Sequence, residues 1–141
     1  MNRPIYETQK DLTREKSIGD VLARVWKAEL HKLPRSYHVD WMITKNKQVK
    51  AFAELKCRNN ASNQYPSLML SLHKWMHGKQ LAAEVSGDFL IIVQWQDGLF
   101  YFKESGFDVT YNFGGRKDRE DDQDMEPVVH IPVNYFKQII G

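Results

Sequence analysis

Apolar residues along this chain recur first at helical spacing and then in alternation. Within residues 6–31, Leu12, Ile18, Val21, Leu22, Val25 and Trp26 fall at helical intervals with charged residues between them, which predicts a helix with one buried stripe. Asp11 or Thr13 is placed to cap its start, and Pro34 lies beyond its end. Residues 37–43 (YHVDWMI) and 48–57 (QVKAFAELKC) are rich in aromatic and β-branched side chains, and TKNK joins them. That pattern predicts an antiparallel hairpin with a tight turn. After the polar loop RNNASNQYPS (58–67), residues 67–86 read as a helix interrupted or ended near Gly78. DFLIIVQW (88–95) is apolar on both faces and so predicts a central strand, with LFYFK (99–103) as its hairpin partner beyond a QDG turn. NFGGRKDRED (112–121) reads as a loop, PVVHIP (127–132) as a short strand and VNYFKQII (133–140) as a terminal helical turn or two.

The resulting order, α-β-β-α-β-β-β-α, is an α/β (mixed α+β) arrangement whose natural solution is a central mixed sheet flanked by helices. An additional strand around residues 28–34 fits ahead of the hairpin if the first helix ends sooner. No repeat or Pro/Gly-rich linker divides the early chain, so residues 1–141 are expected to form one domain. Its core is expected over about 6–103, with 104–141 supplying the C-terminal loop, short strand and helical turn.

Composition narrows the class. Hydrophobic residues make up 42% of the chain and aromatics 12%, which argues against disorder. No apolar run is long enough to span a bilayer, the first residues lack the apolar stretch of a signal peptide, and Cys57 is the single cysteine. A soluble, intracellular protein is the expectation, without disulfides or a cysteine-rich zinc site. Net charge is only +2, but residues 118–126 (DREDDQDME) hold six of the 18 acids and one of the 20 bases. They read as a solvated loop, and the basic remainder is compatible with a phosphate-bearing partner.

Charge inside the second hairpin strand is the feature that suggests chemistry. Glu54 and Lys56 share a face there by the period-two rule, and Asp40 on the first strand falls roughly opposite Glu54. Two facing carboxylates are destabilising unless something neutralises them. A divalent cation held by carboxylates, water and phosphate oxygens would do so, and Lys56 would then orient a water or offset charge on a phosphate. A self-satisfied Glu54–Lys56 ion pair is the bland alternative.

VDWMI…AFAELKCR, with Asp40, then thirteen residues, then Glu54-Leu55-Lys56, resembles the core of the PD-(D/E)xK nuclease superfamily. The resemblance runs from Glu15 to about Trp95, and is to small phage- and prophage-type nucleases and Holliday-junction resolvases more than to restriction enzymes. It departs in one respect: Val39 stands where the motif has proline. The resemblance implies a restriction-endonuclease-like core and a nuclease acting on DNA with Mg²⁺ or Mn²⁺, of virus or prophage origin and active in DNA recombination or repair. It further implies Asp40, Glu54 and the Leu55 carbonyl as metal ligands, Lys56 as a catalytic group, and an acid from the first helix, for which Glu15 is the candidate ahead of Asp20 and Glu29. Gln64 and Lys74 are its candidates for a further amide or basic group, and a homodimer would place two sites for paired cuts. A non-catalytic nucleic-acid- or protein-binding module on the same fold is the alternative, and a plain interaction domain with a coincidental motif is the third reading.

Other features carry less. His73 and His77 lie four apart on a predicted helix, but Lys74 stands where a metalloprotease motif has glutamate, and no third ligand is evident. They read as surface or packing histidines, and His38 as a neighbour of Asp40 by parity. Cys57 faces away from Glu54 and reads as a buried thiol. The aromatics Trp95, Phe100, Tyr101 and Phe102 read as core packing. Arg116 and Lys117, beside two glycines, are candidate nucleic-acid contacts.

Overall fold

The structure, a computed structural model, describes residues 9–106, 109–115 and 125–140. Helix α1 (Gln9–Trp26) ends earlier than its periodicity suggests, because Lys27 turns into left-handed backbone with φ 52°. The residues released from the helix form β1 (Glu29–Lys32), the additional strand ahead of the hairpin. A 3-10 turn over Arg35–Tyr37 then occupies the start of the predicted first hairpin strand, so β2 runs only over Trp41–Lys45. Asn46 and Lys47 both have positive φ, 52° and 63°. A two-residue hairpin turn needs that geometry to follow the strand twist, and it leads into β3 (Gln48–Cys57).

The expected helix over 67–86 is corrected. Its first residues form β4 (Ser67–Ser71), which buries Leu68 and Leu70 in alternation, and only then does α2 (Leu72–Glu84) begin. Nor does Gly78 break the helix: it lies within α2, buried against the Phe89 ring. Strands β5 (Asp88–Trp95) and β6 (Gly98–Glu104) form the predicted hairpin. Residues 112–115 belong to β7 (Thr110–Gly115) rather than to a loop, while Arg116, Lys117 and residues 118–124 lie outside the described residues. β8 (Met125–Pro132) contains the predicted short strand. The expected terminal helix is one 3-10 turn (Val133–Tyr135) followed by β9 (Lys137–Ile140).

Two sheets result. The larger has six strands in the order β1-β2-β3-β5-β6-β9, and the smaller has three in the order β4-β8-β7. In the larger sheet only β3 and β5 run parallel, with Glu54 beside Ile91 and Lys56 beside Val93. This is the mixed sheet expected. Alternation on β5 divides the core: Leu90 and Ile92 pack with Ile18 and Leu22 of α1, while Phe89, Ile91 and Val93 pack with Trp75 of α2 and Val129 of the small sheet. The order of layers is therefore α1, the six-stranded sheet, then α2 beside the small sheet. Glu54 and Lys56 lie on the α2 side, because Phe52 of the same parity does, and Cys57 lies on the α1 side. Among the described residues, no helix is long and apolar enough to cross a membrane.

Gly78→Ala tests this packing. In a solvent-exposed helix the change gains about 1 kcal/mol. Here a Cβ at Gly78 would overlap the Phe89 ring, so the variant is expected to lose about 1–3 kcal/mol in urea unfolding. A gain in stability would show that α2 is not seated on Phe89.

Candidate active site

Strands β2 and β3 part at one end, and the candidate residues gather there. The last β2 pairing joins Trp41 to Ala53, and the Asp40 N–H then donates to the Ala53 carbonyl at 3.1 Å. Beyond this point β3 has lost its neighbour, and the Asp40 side chain takes its place. The Leu55 N–H donates to Asp40 Oδ2 at 2.7 Å. A strand residue turns its N–H and C=O to the same side, so the Leu55 carbonyl shares the Asp40 side of the strand.

Glu54 is 1% exposed. Its Oε2 accepts from Lys74 Nζ at 2.6 Å and lies 3.6 Å from Lys56 Nζ. Its Oε1 is buried and meets no hydrogen-bond donor among the described residues. Burial, and then the charge of Asp40, push the Glu54 carboxyl from 4.5 up to about 7. For Lys56, burial and then the charge of Lys74 lower the pKa, with Glu54 opposing. Burial also disfavours the charge on Lys74, but the Glu54 carboxylate outweighs that and the pKa of Lys74 is raised.

Glu15 reaches this cluster from α1 through an intermediary. Lys32 Nζ of β1 donates to Glu15 Oε1 and Oε2 at 2.7 and 3.0 Å, and it also lies 3.8 Å from Asp40 Oδ1. The pattern of residues did not single out Lys32. Its signal was the strand around 28–34, which, placed at the hairpin's edge, sets Lys32 beside Trp41 and next to Asp40. Arg58 was also missed. With Lys56, Lys74, His38 and His73 it lines a cleft of about 370 Å³.

Asp40, Glu54, Lys56 and Lys74 are thus brought together, with Glu15 joined to them through Lys32. Gln64 is elsewhere: its side-chain amide donates to the Tyr65 hydroxyl in an exposed loop. Asp20 pairs with Lys16 on the exposed surface of α1, and Glu29 lies 3.7 Å from His31. His38 lies against both His73 and His77, supplying the third histidine that their helical spacing alone lacks. Desolvation, and then the two neighbouring imidazoles, lower the His38 pKa.

A divalent metal fits this donor set. The carboxylates of Asp40 and Glu54 are hard oxygen donors of the kind Mg²⁺ and Mn²⁺ take. The buried Glu54 Oε1 lacks a partner that a cation would provide, since buried charges are otherwise paired or metal-bound.

Comparison with known proteins bears on this arrangement. The family model described as "Phage putative PDDEXK endonuclease" matches residues 1–139. Among solved structures, the Holliday junction resolvase Hjc of the archaeal hyperthermophile Archaeoglobus fulgidus is similar in fold, with TM-score 0.55 at 13% identity over 90% of each chain. The chain thus has the restriction-endonuclease-like fold of that protein. No curated protein matches the chain.

The raised Glu54 pKa gives a testable pH dependence. A carboxyl at about 7 when folded, against 4.5 ordinarily, keeps a proton that the unfolded chain has released. This group therefore costs stability as pH rises through that window, and its cost is complete above it. Metal-free protein is expected to lose roughly 3 kcal/mol relative to Glu54→Gln between about pH 4 and about pH 8, measured by urea unfolding. An equal stability difference at both pH values would contradict the assignment.

Proposed function

The chain belongs to the phage PDDEXK endonuclease family, and from that premise we propose a divalent-metal-dependent nuclease that hydrolyses DNA phosphodiester bonds, with branched DNA such as a four-way junction as its preferred substrate. The observation that carries this reading is the buried Glu54 carboxylate, whose Oε1 lacks a donor among the described residues while Asp40 stands close enough to raise its pKa. Asp40, Glu54 and the Leu55 carbonyl would hold Mg²⁺ or Mn²⁺, which when bound supplies Lewis-acid activation of water and offsets charge on the phosphate. Lys56 Nζ, its pKa lowered by burial, is neutral and free to accept a proton more of the time than a solvated lysine, and serves the attacking water. Lys74 and Arg58, lining the cleft beside it, orient the phosphate backbone. Glu15 acts through the Lys32 ammonium to position Asp40.

Likeness of fold to a protein named as a Holliday junction resolvase supports the branched substrate. Paired cuts on such a substrate call for two copies of the chain, and a symmetric homodimer is the commonest way to supply them.

The test is cleavage of labelled linear duplex, single strand, flap and four-way junction in Mg²⁺, Mn²⁺ and EDTA. Wild type is expected to cut in either metal but not in EDTA, and to prefer the junction. Lys56→Ala is expected to slow cutting by roughly 10²–10⁴-fold while remaining folded. Folded wild-type protein that cuts none of the four would favour a binding module instead, and preference for linear duplex would overturn the junction assignment.

A further inference from the structure

Three histidines meet on the α2 side of the sheet, beside the carboxylate cluster but without sharing any residue with it. His73 and His77 stand one turn apart on α2, and His38 comes to them from the turn that precedes β2. Their ring centroids lie 4.3–4.5 Å apart in all three pairings. One nitrogen from each falls within 4.8 Å of the other two. His38 is held there by backbone: its φ is 64°, and its N–H closes the turn onto the Arg35 carbonyl at 2.9 Å.

We infer that His38, His73 and His77 form a second metal site, for a zinc-class divalent cation, which ties the segment carrying Asp40 to the helix carrying Lys74. Three imidazoles without a carboxylate are a donor set for Zn²⁺, Co²⁺, Ni²⁺ or Cu²⁺, and a poor one for Mg²⁺. Nitrogens about 2.0 Å from a tetrahedral ion lie about 3.3 Å apart. The three nitrogens, within 4.8 Å of one another, therefore exceed that spacing by no more than about 1.5 Å. His73 is exposed and gives the ion access, while His38 and His77 are half-buried. Three protein ligands leave a fourth position open, and His38 and His73 both line the 370 Å³ cleft shared with Lys56, Arg58 and Lys74. His38 is two residues from Asp40, and His73 adjoins Lys74. A bound cation would therefore cross-link the two segments that meet Glu54 and its neighbours. The inference is independent of the nuclease reading, since it concerns binding and stability alone.

The experiment is titration of metal-stripped full-length protein with Zn²⁺ by calorimetry, and with Co²⁺ by visible absorption. The proteins compared are wild type, single His73→Ala, His77→Ala and His38→Asn variants, and an Asp40→Asn/Glu54→Gln double variant. Wild type and the double variant are expected to bind one Zn²⁺ that excess Mg²⁺ does not displace, with a four-coordinate Co²⁺ spectrum and a raised melting temperature. Each histidine variant is expected to weaken binding by more than the roughly 10–100-fold that loss of an outer-shell partner costs. NMR of wild type needs no variant: of the five histidines, the ring resonances of His38, His73 and His77 are expected to shift with Zn²⁺, and those of His31 and His130 to stay. Absence of Zn²⁺ binding, binding unchanged by the histidine variants, binding lost in the double variant, or shifts at His31 or His130 would each overturn the inference.

Discussion

The rest of this structure depends on the pairing of a fully buried carboxylate, Glu54, with the Lys74 ammonium 2.6 Å away. An ionised carboxylate so far from water costs several kcal/mol unless partners offset it, and the partner here comes from a different element. Helix α2 must therefore sit where Lys74 reaches β3. Gly78 sets that seat by letting the helix lie on Phe89, and Trp75 fixes it by burying its ring on the same face. Even so the pairing is incomplete. Glu54 Oε1 has no donor among the described residues, and Asp40 adds a like charge. A chain folded for stability alone would place an apolar side chain here. This one keeps a carboxylate whose remaining need is a cation.

Strand topology determines what surrounds that carboxylate. Because β2 pairs with β3 only from Trp41 onward, opposite Ala53, the backbone of Leu55 is free to bind Asp40 rather than a neighbouring strand on that side. Parity then places Glu54 and Lys56 on the face covered by α2 and the small sheet, while α1 sends Glu15 around the edge through Lys32 of β1. Acids from three separate elements converge on one end of one strand. Lys32, Lys56 and Lys74, from β1, β3 and α2, pair with them beside the cleft.

Those parts of the site that rest on local pattern were legible in the sequence. Alternation on β3 put Glu54 and Lys56 on one face and Cys57 on the other, the short turn set Asp40 near them, and the apolar run of β5 marked the central strand. What pattern could not show depends on distant pairing. Residues 67–71 alternate like a strand, but the helical pattern that follows absorbed them, and their partner β8 lies some sixty residues away. The last residues become β9 because β6 offers an open edge, which no local propensity reveals. Lys32, and His38 as the partner of His73 and His77, were obscured for a related reason. One sits on an edge strand whose existence turns on a single left-handed residue, Lys27, and the other is itself left-handed. The third histidine of the trio therefore emerged only with the backbone.

The central claim is that the buried Glu54 carboxyl exchanges its proton for a divalent cation. It is tested most directly by Mn²⁺ calorimetry of the metal-free protein at pH 6.5, in buffers of different ionisation enthalpy, with Glu54→Gln alongside. With a carboxyl pKa near 7, about three quarters of the group is protonated at pH 6.5, so binding is expected to release roughly 0.75 proton per ion, and Glu54→Gln is expected to lose both the release and most of the affinity. Binding without proton release, or equal binding by the variant, would contradict the account.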